Sequence, residues 1–249
     1  MSKFLVTVAW ADVPHLSEQE QAEQLAAIPP YQRDARTKGI PYLGSGAIYP
    51  FDVSDITVQD FRIPDHWPRG YGMDVGWNRT AAVWLAHDRE TDEIYLYSVH
   101  SRGHAEPEVH AAAIKARGEW IPGMIDPASR GRSQSDGQRL FDVYKRLGLH
   151  LHLAPNAVEA GILSCTIRYG TGRLKIFTSC TAVLEELTTY SRNEHGKVIK
   201  EADHAMDAKR YGVQAIEENA NWLKTAPVEA TPEVHYVTAG QHGQEWMGG

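Results

Sequence analysis

The pattern of apolar and polar residues changes period along the chain. Residues 71–75, 80–87 and 94–100 are short apolar runs separated by turn-forming residues at 76–79 and 88–92, and they predict three strands in an antiparallel meander. Helical spacing follows. Residues 106–116 place Val109, Ala113 and Ala116 on one side, and residues 137–147 place Leu140, Tyr144 and Leu147 likewise. Further helices are expected over 157–168, 181–190 and 202–219, with brief strands at 123–126, 149–153 and 174–177. Residues 192–197 read as a hairpin tip. A meander followed by alternating strands and helices predicts an α/β fold with a mixed central sheet and flanking helices.

The first part of the chain is less regular. Residues 4–10 predict a short strand, and Ser17 with Glu20 forms a capping-box pattern that starts a helix before Pro29 and Pro30. The cations Arg33, Arg36 and Lys38 read as a solvated face. The glycine-rich turn at 39–46 lacks a following Gly-Lys-Ser/Thr and is no phosphate loop. Residues 47–63 read as one or two short strands. The expected organisation is a lead-in over 1–68, a main domain over 69–224 and a flexible tail over 225–249.

Composition narrows the class only a little. The 249 residues are 42% hydrophobic and 23% charged, ordinary for a globular chain, and no apolar run is long enough to span a bilayer. Neither a secretory signal nor a cysteine framework is present, since Cys165 and Cys180 are isolated, so a reducing cytoplasmic setting is expected. A net charge of −7 argues against coating nucleic acid by bulk charge, yet it is compatible with a carboxylate site that gathers cations.

Three acidic points supply such a site. Asp74 sits in Gly72-Met73-Asp74-Val75-Gly76, Asp126 in Ile125-Asp126-Pro127, and Asp203, His204 and Asp207 open the last helix. A lone carboxylate among apolar residues needs a cation or a donor network. Singly, each has an ordinary reading: Asp74 as a turn former, Asp126 and Asp203 as helix N-caps, Asp207 as a solvated residue. Jointly, oxygen ligands beside three elements, with Asp203 and Asp207 one helical turn apart, suit a divalent-metal site.

These motifs, with the ending Asp203-His-Ala-Met-Asp-Ala-Lys-Arg-Tyr211, resemble the C-terminal nuclease domain of the tailed-phage terminase large subunit, the DNA-packaging motor. The stretches Asp12-Val-Pro-His-Leu-Ser-Glu18, Pro29-Pro-Tyr-Gln-Arg-Asp-Ala-Arg36 and Lys38-Gly-Ile-Pro-Tyr-Leu-Gly-Ser-Gly46 look like the segment that precedes that domain. The resemblance implies a ribonuclease H-like (RuvC-like) fold and a two-metal endonuclease using Mg²⁺ or Mn²⁺ on double-stranded DNA. It implies that Asp74 bridges both ions, that Asp126 holds one, and that Asp203, His204 and Asp207 supply the rest, Asp207 being favoured. Portal protein and small terminase subunit would be its partners at the procapsid in the host cytoplasm, and a monomer is expected for the domain alone. Arg79, Arg130, Arg132, Arg192, Lys197 and Lys200 lie near the expected site and would meet DNA phosphates. The family's ATPase, with its phosphate loop, is absent from this chain, so a fragment or a split-gene product without ATP hydrolysis is expected. Two alternatives stay open: an ATP-binding protein of the actin and sugar-kinase type, and a docking module of the motor without catalysis.

Overall fold

The computed structural model of the chain describes residues 17–27, 37, 46–130, 139–193 and 196–227. The strand expected over 4–10, most of the turn at 39–46, Arg132 and the tail beyond residue 227 lie outside these residues. The first helix, α1 (Glu18–Ala27), carries the expected capping box: Glu20 N donates to Ser17 Oγ at 3.3 Å while Ser17 N donates to Glu20 Oε2 at 3.0 Å.

Among the described residues one seven-stranded sheet forms the centre. The meander is β2 (Arg69–Asp74), β3 (Thr80–Asp88) and β4 (Glu93–Arg102), paired antiparallel. Two parallel strands, β5 (Gly123–Ile125) and β6 (Leu151–Leu153), extend it beyond β2. On the other side β7 (Leu174–Phe177) runs parallel to β4, and β1 (Thr57–Val58) runs parallel to β7. The order is β1-β7-β4-β3-β2-β5-β6, the mixed sheet that the alternation of periods predicts.

Of the one or two short strands expected over residues 47–63, one is found, preceded by a helix that was not expected. The stretch gives a short helix, α2 (Val53–Ile56), followed by only the two-residue β1. Asp52 explains the difference: its Oδ1 accepts from Ser54 N at 2.8 Å, an N-cap that turns the chain into a helix. Ile48, Tyr49, Ile56 and Ile63 are buried in the same core as the sheet, so this stretch is part of the body.

Helices cover the sheet: α3 (Pro107–Lys115), α4 (Leu140–Arg146), α5 (Val158–Gly170), α6 (Thr181–Thr189) and α7 (His204–Asn219). On α3 the buried side is His110, Ala111 and Ile114, and Val109 is exposed. The expected face of Val109, Ala113 and Ala116 is therefore rotated. The reason is His110, which reads as outward by polarity but hydrogen bonds His100 at 2.9 Å across to β4.

The last helix, α7, is buried on every side from Ala205 to Ile216, charged residues included. It lies close against β2 because two glycines meet there. A Cβ on Gly72 would stand 1.8 Å from the Ala208 carbonyl oxygen, and one on Gly212 would stand 2.1 Å from Leu85 Cδ1. No side chain fits at either place without moving the helix or the strand. On its far side α7 buries Lys209 beneath Tyr49 and Tyr169, with the ammonium 3.8 Å from the Tyr49 ring centre. Its Nζ also donates to the Tyr169 hydroxyl at 3.3 Å. Burial pushes this lysine down to about 8, though nearby acids partly oppose the shift.

Two outcomes follow from this packing. Gly72→Ala should cost about 2–4 kcal/mol and lower the melting temperature by roughly 5–15 °C, measured by calorimetry, because backbone must yield. The second concerns pH. Between about 8 and 10.5 the unfolded chain holds a proton on Lys209 that the folded chain has released. The contribution of Lys209 to stability therefore rises with pH across that window and is at its worst below it. Lys209→Met should be more stable than the parent by about 1–2 kcal/mol at pH 7. That advantage should shrink toward pH 10 in urea titrations, where the shared tyrosine and cysteine ionisations cancel in the difference.

Candidate metal centre

Asp74 and Asp126 leave the sheet side by side. Met73 pairs with Ile125 across β2 and β5, and Asp126 N donates to the Met73 carbonyl at 3.0 Å. Parallel strands thus bring two acids to one carboxyl edge of the sheet, the edge at which α/β folds commonly bind ligands. The third acid comes from α7. Tyr211, one turn beyond Asp207, donates its hydroxyl to Asp126 Oδ1 at 3.2 Å. Burial, then the charges of Asp126, Asp207 and Asp74, hold the Tyr211 phenol far above its ordinary value. One ring therefore senses all three aspartates.

Asp74 shows the strain of this gathering. Burial raises its carboxyl above the ordinary range, and the charges of Asp207 and Asp126 push the same way; a hydrogen bond to His204 works against them. His204 Nδ1 lies 2.8 Å from Asp74 Oδ2, and that contact raises the imidazole in turn. Asp126 combines its site position with the N-cap reading: Oδ1 accepts from Ala128 N at 2.9 Å at the start of the 3₁₀ turn Pro127–Arg130.

On α7 the capping work has been moved elsewhere. Asp203 occupies the N-cap position, yet its side chain makes no capping bond. Glu186 on α6 does so instead, its Oε2 accepting from Ala205 N at 2.6 Å and Met206 N at 3.3 Å. The Asp203 carboxylate is thereby free to face the cluster. Its buried Oδ2 has no hydrogen-bond donor among the described residues, although Lys200 Nζ stands 3.0 Å away as a counter-charge. Asp207 is fully engaged: Oδ2 accepts from Lys200 Nζ at 2.8 Å, and Oδ1 from Arg210 Nε and Nη2 at 3.2 and 3.0 Å. Glu186 and Tyr211 are residues that sequence reasoning missed. Tyr211 lies within the motif that closes on Asp207, whereas Glu186 carries no local signal.

The cations considered as phosphate contacts fall into two groups. Arg192 forks onto Glu159 at 2.9 and 2.6 Å and donates to the Gly196 carbonyl, fixing the hairpin to α5. Lys200 is committed to Asp203 and Asp207. Arg79 is exposed and bonds Ser101 Oγ at 3.0 Å, and Lys197 is exposed at the hairpin with no side-chain partner among the described residues. Arg130 ends the 3₁₀ turn after Asp126.

Among the described residues no three carboxylates or imidazoles stand close enough to ligate one ion as they are arranged. His204, Lys200 and Arg210 hold the acids instead. The donor set nevertheless fits a divalent cation: hard oxygen ligands, mutual repulsion at Asp74, and a buried Asp203 oxygen whose nearest partner is the displaceable, largely exposed Lys200. Asp74 Oδ1 and Asp126 Oδ2 also have no protein donor among the described residues.

Known proteins resemble this chain in sequence and fold. The family model described as the terminase RNaseH-like domain matches residues 71–215. The terminase large subunit of Salmonella phage P22 is 30% identical over 219 residues, covering 85% of this chain but 44% of its own length, so the chain spans less than half of that relative. The solved nuclease domain of the P22 large terminase is 28% identical with a TM-score of 0.66, covering 73% of this chain and 96% of that one. The large terminase nuclease of thermophilic phage G20c, solved with bound magnesium, shares the fold at 12% identity and a TM-score of 0.51, over 68% of this chain and 97% of its own.

Two carboxylates of one cluster should respond in opposite directions. In metal-free protein Asp74→Asn should raise the melting temperature by about 1–3 °C, since it removes repulsion and keeps an acceptor for His204. Asp207→Asn should lower it by about 3–10 °C, because the buried Arg210 loses its counter-charge. Thermal melts in EDTA check both signs.

Proposed function

The chain belongs to the terminase RNaseH-like domain family, and from that premise we propose that it is a divalent-metal-dependent endonuclease cutting double-stranded viral DNA during genome packaging. The observation that carries this reading is the convergence on the carboxyl edge of the sheet of Asp74 and Asp126 with α7, whose His204 contacts Asp74 and whose Tyr211 contacts Asp126. Carboxylates held together against their own repulsion are costly for a fold that needs them only as turns and caps.

Two Mg²⁺ or Mn²⁺ ions would supply an activated water and neutralise charge on the phosphate as the phosphodiester breaks. Asp74 and Asp126 would hold such ions, each with a carboxylate oxygen that has no protein donor among the described residues, and Asp203 would join them on release of Lys200. Asp207 and His204 complete the set once Lys200 and Asp74 give up their present contacts with them. Tyr211 positions Asp126 by hydrogen bond, and Glu186 positions Asp203 by relieving it of the helix cap. Arg79 and Lys197, both exposed, would meet DNA phosphates in this reading, with Arg130 following Asp126 in the chain. Arg192 acts indirectly, by holding the hairpin that carries Lys197. Double-stranded DNA is the substrate in this reading, portal and small terminase are the partners in the assembled motor, and the host cytoplasm is the place of action.

A docking module without catalysis is the second reading, favoured by the ion pairs that already occupy Asp207. Plasmid nicking separates the two. The chain should nick supercoiled plasmid with Mg²⁺ or Mn²⁺ and not with EDTA, and Asp74→Asn and Asp126→Asn should each lose at least about 100-fold. Metal-dependent nicking that survives Asp74→Asn would place the catalytic centre elsewhere, and no nicking under any metal would favour docking.

A further inference from the structure

The most exposed large apolar side chain among the described residues is Trp77, at 62%. It stands in the loop between β2 and β3, three residues beyond Asp74. That loop is built rather than slack. Thr80 Oγ1 donates to the Gly76 carbonyl at 3.1 Å, and His104 N donates to the Trp77 carbonyl at 2.9 Å. The His104 ring meets the indole edge-on at 5.8 Å. Gly103 permits the close approach of the two loops, since a Cβ there would lie 2.1 Å from the Asn78 carbonyl oxygen. His104 itself adopts φ 51°, a left-handed conformation that costs a histidine stability and that these contacts hold in place. The indole is thus presented to solvent on a fixed support, with the exposed Arg79 two residues on in the same loop and the exposed Arg102 at the end of β4, paired with Thr80.

A buried tryptophan contributes by leaving water. Trp77 keeps most of its surface in water, and apart from its edge contact with His104 its apolar face is left available to a ligand. Cations beside a flat aromatic face are the elements by which proteins hold a nucleic-acid strand, phosphates on the charges and a base on the ring. We propose that Trp77 is a stacking platform for an unpaired nucleobase of the bound DNA. Trp77 follows Asp74 by only three residues in the loop that leaves β2, so the base it takes is one near the phosphate cut at Asp74. This inference rests on the nuclease reading above, and it adds a preference for ends, nicks or melted sites, where a base is free to leave its stack.

Binding of fluorescein-labelled DNA in EDTA, followed by anisotropy, tests it, with one duplex blunt and one bearing a short single-stranded overhang. Trp77→Ala should weaken binding of the overhang substrate about 5- to 100-fold and of the blunt duplex much less. Trp77→Phe should retain most of the affinity. The salt dependence should be unchanged by Trp77→Ala, whereas Arg79→Ala should flatten it by about one unit of slope. Overhang binding by Trp77→Ala equal to that of the parent, or an equal loss on both substrates, would overturn the stacking role while leaving the nuclease reading intact. A parent chain that neither binds nor nicks DNA would remove both.

Discussion

The structure depends on how closely α7 approaches the centre of the sheet. Gly72 on β2 and Gly212 on α7 leave no side chain between strand and helix, so the helix lies directly against the strand that ends in Asp74. Any residue larger than glycine at this crossing would push the helix outward and carry Asp207 and Tyr211 away from the acids of the sheet. Close packing of this kind has little compressibility and transmits strain, so a change of a single methyl group is felt. The same crossing explains why α7 is buried on all sides, and why it must find internal partners for its charges. Arg210 finds Asp207, and Lys209 finds two tyrosine rings.

Around that crossing, acids are gathered that would otherwise repel one another. The chain supplies its own cations to hold them: His204 for Asp74, Lys200 for Asp203 and Asp207, and Arg210 for Asp207. Two of these are replaceable in a way that Arg210 is not. Lys200 is largely exposed and His204 partly so, whereas the Arg210 guanidinium is buried. An incoming divalent cation would therefore compete with the two accessible groups and leave the structural pair in place. Glu186 serves the same arrangement from a distance, capping α7 so that Asp203 does not have to. These features favour a site maintained for binding over a set of coincidental turns and caps.

Much of this was legible in the residues. The change of hydrophobic period gives the mixed sheet, and an aspartate at the end of each of two apolar runs marks Asp74 and Asp126 as candidate ligands, though that their strands are parallel neighbours is visible only in the fold. The spacing of Asp203 and Asp207 places both on one turn of α7. What stayed hidden was long-range. Lys200 carries the same charge whether it meets a phosphate or a carboxylate, and only the fold turns it inward. Glu186 is separated by nineteen residues from the amide it caps. Gly72 and Gly212 look like ordinary glycines until strand and helix are crossed. On α3, polarity misled, because a histidine with a histidine partner is buried at no penalty that composition reveals. Asp52, by contrast, was a local N-cap signal overlooked in favour of β-branched neighbours.

The account turns on whether the gathered carboxylates take up divalent ions. Anomalous scattering from crystals soaked in Mn²⁺ reads this out directly. The account predicts manganese peaks between Asp74 and Asp126 and beside the start of α7, with the His204 or Lys200 side chain shifted from its present partner. No peak at these carboxylates at millimolar Mn²⁺, in a crystal whose protein nicks DNA with that metal, would contradict it.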